Sequence, residues 1–155
     1  MSESGATRMQ STHLTLVLNL QTRDSQEIGD MVFLVLLDLS SNNLTGNLPG
    51  FIGRRPQDLK YAYFGSNRFG GELPTELGLL TNLVELYLND NPFGGVVPNS
   101  FSNLINLREL GLEMNQFNGG LDTLFCDRDP PLDEFIADCT DTAPCECCTE
   151  CQVLN

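Results

Sequence analysis

The chain is poor in the groups that catalysis and nucleic-acid binding require. Its single histidine, His13, sits in a weakly patterned N-terminal stretch. Serine–histidine–aspartate and cysteine–histidine mechanisms therefore lack a base near the patterned part of the chain. Lys and Arg total 8 against 21 Asp and Glu, a net charge of −13, and Arg54-Arg55 is the only adjacent basic pair. Phosphate backbones need clustered cations, which argues against nucleic acid as a partner. No apolar run is long enough to cross a bilayer. Leu14 to Leu20 is interrupted by Thr15 and Asn19, and it lacks the profile of a signal peptide. There is no glycine-rich phosphate loop either, since Gly70-Gly71 and Gly94-Gly95 fall at recurrent turns. These absences point to a non-enzymatic chain with no cofactor and no resident metal.

Cysteine is missing until late in the chain. All six, Cys126, Cys139, Cys145, Cys147, Cys148 and Cys151, crowd into the last thirty residues. An even number at one terminus reads as a disulfide framework, and that implies an oxidising, extracellular compartment. Thiolates at these spacings can also hold a soft metal such as zinc. Adjacent Cys147 and Cys148 diverge, which disfavours both serving one tetrahedral ion, and free thiols are the third alternative. Six cysteines allow fifteen pairings, among which spacing does not choose. An extracellular chain without a visible signal peptide is expected to be a fragment, a mature form or the product of a misplaced start codon.

What the chain does have is a repeat. Leu34-x-x-Leu37-x-Leu39-x-x-Asn42-x-Leu44 recurs as Leu59-x-x-Ala62-x-Phe64-x-x-Asn67-x-Phe69. It recurs again from Leu83 to Phe93 and from Leu107 to Phe117, with asparagine-to-asparagine steps of 25, 24 and 24 residues. Gly46, Gly71, Gly95 and Gly119 keep the same register, as do Pro49, Pro74 and Pro98. Alternation in the first part of each unit buries every second residue of a short strand. Asn42, Asn67, Asn91 and Asn115 fall where the chain bends, and an amide there satisfies exposed backbone groups, so stacked units make an asparagine ladder. Phe69, Phe93 and Phe117 turn inward at one-repeat spacing and are expected to stack.

These residues resemble the plant-type leucine-rich repeat. Ser41-Asn42-Asn43-Leu44-Thr45-Gly46-Asn47-Leu48-Pro49 matches its most typical stretch, and Glu72 to Leu80 matches its second half. The resemblance implies an α/β solenoid: a right-handed superhelix with a short parallel β-sheet on the concave face and 3-10 or irregular segments on the convex face. The expected division is a polar N-terminal extension over 1–13 and a degenerate capping repeat over 14–33. Four repeats follow over 34–122, in register 34–58, 59–82, 83–106 and 107–131, and then a capping repeat with a cysteine-rich tail over 123–155. The strand of the first, degenerate unit is expected at Leu16 to Leu20, and Glu27-Ile28-Gly29 echoes Glu76-Leu77-Gly78. At the other end, Leu132-x-x-Phe135-x-Ala137 repeats the strand once more. Pro131 to Cys139, followed by Cys145-x-Cys147-Cys148-x-x-Cys151, is similar to the C-terminal cap of leucine-rich-repeat proteins from diatoms and related algae.

On such a solenoid the residues between the buried leucines line the concave face. Tyr61, Tyr63 and Tyr87, all the tyrosines of the chain, fall there, with Asn89 and the acids Asp38, Glu85, Glu109 and Glu113 around them. Tyrosine gives contact area with a polar tip at low entropic cost, so the expected partner is a protein or peptide, basic or of mixed charge. Asn43-Leu44-Thr45 is the one N-glycosylation sequon, with Asn43 facing solvent. The expected function is extracellular or receptor-like recognition, for which the resemblance implies ligand sensing, adhesion or enzyme inhibition. The competing reading is an acidic structural or cell-wall protein that binds polysaccharide or cations.

Overall fold

The computed structural model describes residues 13–15, 33–54, 57–139 and 145–152. Eleven short strands occur among them: β1 (His13–Thr15), β2 (Leu36–Asp38), β3 (Thr45–Asn47), β4 (Tyr61–Tyr63), β5 (Arg68–Gly70), β6 (Glu85–Tyr87), β7 (Gly94–Gly95), β8 (Glu109–Gly111), β9 (Gln116–Phe117), β10 (Glu134–Asp138) and β11 (Glu150–Gln152). Seven of these form one parallel sheet in the order β1-β2-β4-β6-β8-β10-β11, the concave wall of the solenoid. Each repeat contributes one strand and returns over the far side, so every neighbour is parallel and in register. Leu37, Ala62, Leu86, Leu110 and Phe135 thus lie side by side and fully buried.

The inward residues close a continuous core. Phe69 and Phe93 stack with ring centres 6.1 Å apart and planes 13° apart, and Phe93 and Phe117 follow at 6.4 Å and 12°. Such rings stacked once per repeat bind neighbouring units together through dispersion and burial.

The ladder carries the polar half of the same job. Asn91 Nδ2 donates to Leu88 O within its own repeat and to Phe64 O in the preceding one, at 3.2 and 3.0 Å. Its Oδ1 accepts from Phe69 N–H at 3.0 Å. Asn67 and Asn115 repeat the pattern, with Oδ1 accepting from Leu44 and Phe93 N–H. The residue before each ladder asparagine takes a left-handed conformation, with φ of 55° at Ser41, 54° at Ser66 and Asp90, and 56° at Met114. Periodicity gives no hint of this strain, because serine, aspartate and methionine share no side-chain preference that marks it.

The far side carries the expected 3-10 segments and adds to them. Beside the 3-10 turns Thr75–Leu79 and Asn99–Asn103, which Pro74 and Pro98 lead into, it carries two more parallel strand pairs, β3–β5 and β7–β9. Positive φ at Gly46, Gly71 and Gly95 lets the chain turn while consecutive repeats stay in hydrogen-bonding register.

Both ends depart from the repeat. At the front, the strand beside β2 is His13–Thr15, with Leu14 next to Leu37. The expected segment, Leu16 to Leu20, lies outside the described residues, as does Glu27-Ile28-Gly29. Leu14, Leu16, Leu18 and Leu20 share one alternation, so a four-residue shift keeps the same face inward and the pattern alone leaves the register free. At the back, Asp138 closes the ladder. In earlier repeats Asp90 and Asn91 N–H donate to the Glu113 and Met114 carbonyls at 3.0 and 3.1 Å. In the last repeat Met114 and Asn115 N–H donate instead to Asp138 Oδ1 and Oδ2, both at 2.9 Å. One carboxylate therefore replaces two carbonyls of an absent repeat. Arg128 does the converse, its Nη2 donating to Leu104 O and Leu107 O at 3.2 and 3.0 Å.

Three disulfides pin this cap: Cys126–Cys147, Cys139–Cys151 and Cys145–Cys148. The first ties the end of the short helix Leu121–Phe125 to the tail, and the second joins the end of β10 to β11.

Candidate binding face

Two rows of side chains stand out from the concave sheet. Strand register aligns Leu36, Tyr61, Glu85, Glu109 and Glu134 in one row, and Asp38, Tyr63, Tyr87, Gly111 and Ile136 in the next. The Tyr63 and Tyr87 rings are 5.7 Å apart and tilted by 56°. Glycines make room for this arrangement. A Cβ at Gly111 would come within 2.7 Å of the Tyr87 ring, and one at Gly65 within 2.5 Å of Asn89 Oδ1. The result is a groove of about 220 Å³ lined by Ser40, Tyr63, Gly65, Ser66, Tyr87 and Asn89.

Each of these two phenols reaches one strand onward to a carboxylate. Tyr63 O–H donates to Glu85, and Tyr87 O–H donates to Glu109 at 2.7 Å, with Glu134 further off at 3.5 Å. Burial first, and then these bonds to carboxylates, push both phenols above the ordinary tyrosine range. Glu85 and Glu109 are thus neighbours and acceptors of the aromatic pair. That pairing was not legible in the sequence, because it runs diagonally between strands and depends on the space Gly111 leaves.

The remaining candidates divide by what already engages them. Asp38 Oδ1 accepts from Ser40 N–H and Oγ–H at 2.9 and 2.6 Å, which ties it to its own turn. Glu113 is the exception: it is half-buried, and its buried Oε2 has no hydrogen-bond partner among the described residues. Burial, then the charges of Asp138, Glu150 and Glu134, raise its carboxyl above the usual range. Glu134, Asp138 and Glu150 extend the acidic end of the face beyond the residues picked from sequence. The echo at Leu132-x-x-Phe135-x-Ala137 was the available signal, since it sets 134, 136 and 138 at outward positions. Tyr61 is half-buried in the first row, and Asn43 is exposed on the far side. No helix among the described residues is long and apolar enough to cross a membrane.

The fold is that of a leucine-rich-repeat solenoid closed by a disulfide-bonded cap, and it is similar to plant leucine-rich-repeat proteins. Residues 33–54 and 82–104 match the family model described as Leucine Rich Repeat. Over 66 residues the chain is 36% identical to the LRR receptor-like serine/threonine-protein kinase GSO2 of Arabidopsis thaliana, covering 43% of this chain and 5% of that protein. Among solved structures, the ectodomain of the Arabidopsis thaliana receptor kinase GASSHO1/SCHENGEN3, in complex with CASPARIAN STRIP INTEGRITY FACTOR 2, is 36% identical. It covers 62% of this chain and 11% of its own, with a TM-score of 0.59. The plant peptide hormone receptor RGFR1 in complex with RGF2 is 36% identical, covering 72% of this chain and 18% of its own, with a TM-score of 0.65. The chain therefore spans a small part of the receptors it is similar to.

Proposed function

We propose that this chain is an extracellular recognition module that binds an extended segment of a protein or peptide across the concave sheet. The observation that carries the reading is the Tyr63–Tyr87 pair, held at 5.7 Å above a groove and flanked by carboxylates. Two aromatic faces with anchored hydroxyls form a preorganised surface, and burying them against a partner costs little further ordering. The acidic end around Glu113 and Glu134 favours a cationic group on the ligand. Two similar ectodomains have been solved in complex with CASPARIAN STRIP INTEGRITY FACTOR 2 and with RGF2, which supports the ligand class. The three disulfides support the compartment, and exposed Asn43 is its expected glycosylation site on secretion from a eukaryotic cell.

A random peptide library panned on the folded protein tests this reading. Replacing Tyr63 and Tyr87 by alanine is expected to abolish binding of the selected peptides, about 2 kcal/mol or more for each ring. Thr75→Ala with Asn99→Ala, on the convex side, should leave binding unchanged. The opposite pattern would place recognition on the convex face.

A further inference from the structure

A second groove, of about 360 Å³, lies where the strands begin, lined by Lys60, Asn82, Val84, Asn106 and Arg108. Val84 N–H donates to Lys60 O and Arg108 N–H to Val84 O, each at 2.8 Å, so Lys60, Val84 and Arg108 form one row on three consecutive strands. Strands about 4.8 Å apart put the two cationic residues roughly 10 Å apart with a valine between them. Their long stems can converge on one group above Val84. Asn82 and Asn106 are fixed by single bonds to Gln57 O and Thr81 O, at 3.0 and 2.8 Å, and each keeps a second amide N–H to donate.

The charge environment of this groove is unlike the rest of the face. Glu85 and Glu109 follow Val84 and Arg108 in the chain, yet neither lines the groove. Both carboxylates are held on the other side of their row by the Tyr63 and Tyr87 hydroxyls. Neither Lys60 nor Arg108 enters an ion pair among the described residues, where the one pair is Arg54–Glu76. A chain of net charge −13 thus sets two of its eight basic residues, neither in an ion pair among the described residues, at one cleft; Asp133 follows Arg108 in the row without lining the groove. The four donors around it suit the planar, two-oxygen geometry of a carboxylate.

We propose that this groove is the anion subsite of the recognition face, taking a carboxylate of the bound peptide, either its C-terminus or an Asp or Glu side chain. The inference rests on the concave sheet being the binding face, and it gives the ligand a polarity: an acidic group at the strand starts, with aromatic contacts beside it.

Two random octapeptide libraries, one with free C-terminal carboxyls and one amidated, panned on the full chain separate the possibilities. Selection confined to the free-carboxyl library assigns the terminus, and enrichment of Asp or Glu in both assigns a side chain. For a selected peptide, Lys60→Gln with Arg108→Gln should weaken binding about tenfold or more and make it less sensitive to salt, with the circular dichroism of the fold unchanged. Selected peptides lacking any carboxylate would overturn the subsite. So would undiminished binding by the Gln pair when Tyr63→Ala with Tyr87→Ala abolishes it, an outcome that leaves the face itself standing. If neither pair changes binding, or nothing is selected, both readings fall. Dimerisation abolished by the Gln pair, with no peptide bound, would put a second copy in the groove and overturn the proposal.

Discussion

Asn91 is 6% exposed and makes four hydrogen bonds, two of them to the preceding repeat. Replacing it by alanine leaves Phe69 N–H and Phe64 O facing a hole that no side chain refills. The expected loss is about 1–3 kcal/mol in urea unfolding. Asn42 is half-buried where Asn91 is buried, so Asn42→Ala should cost less. Equal losses at the two positions would mean that the depth of the amide carries no extra stability. The ladder and the phenylalanine stack were legible because each follows from residue type plus register. The Asp138 closure and the Tyr63–Glu85 bond were not. An aspartate at an outward strand position reads as a solvated charge until the two N–H groups it accepts from are placed beside it.

Elements of three residues carry too little local preference to position themselves. β2, β4, β6 and β8 were readable because four copies of one pattern fix their phase. β1 has only an alternation that fits in more than one register, and the residues beside β2 precede the expected segment Leu16 to Leu20. The strands on the convex side were not legible because Thr45–Asn47 has one β-former and Gly94–Gly95 none, and the positive-φ glycines hold them in register. At the cap, spacing left the cysteine pairing open and the fold decides it. Cys126–Cys147 closes a separation of 21 residues, against 3 for Cys145–Cys148. Chain entropy assigns about 3 kcal/mol to the longer loop and about 2 kcal/mol or less to the shorter. Double alanine variants compared by thermal unfolding should keep that order, and the reverse order would mean that the short bridge acts through native packing.

Asp138, Glu150 and Glu134 gather at one end of the face, and Glu113 registers their charge. Its carboxyl is raised in the fold by burial and by Asp138, Glu150 and Glu134, so the folded state holds its proton more tightly than the unfolded chain. The contribution is therefore present at low pH. It is lost as pH rises from the ordinary carboxyl value of 4.5 through the raised one. Glu113→Gln should consequently be more stable than the parent at neutral pH, with the difference shrinking toward pH 4 in parallel melts. A constant difference across that range would show that the substitution acts through packing and not through the proton.

Each repeat answers its predecessor with the same groups in the same places. Excising residues 83–106, which are 24 in number, would join Asn82 to Leu107. Register then offers Tyr63 the carboxylate of Glu109, Phe69 the ring of Phe117, and the Phe69 amide the Oδ1 of Asn115. Such a shortened chain is expected to fold with its cap intact and to be less stable by one repeat interface, which circular dichroism melts would measure. In genetic terms, the gene can lose or gain a unit by recombination between its own repeats. The reach of the face would change while both ends of the protein stay as they are.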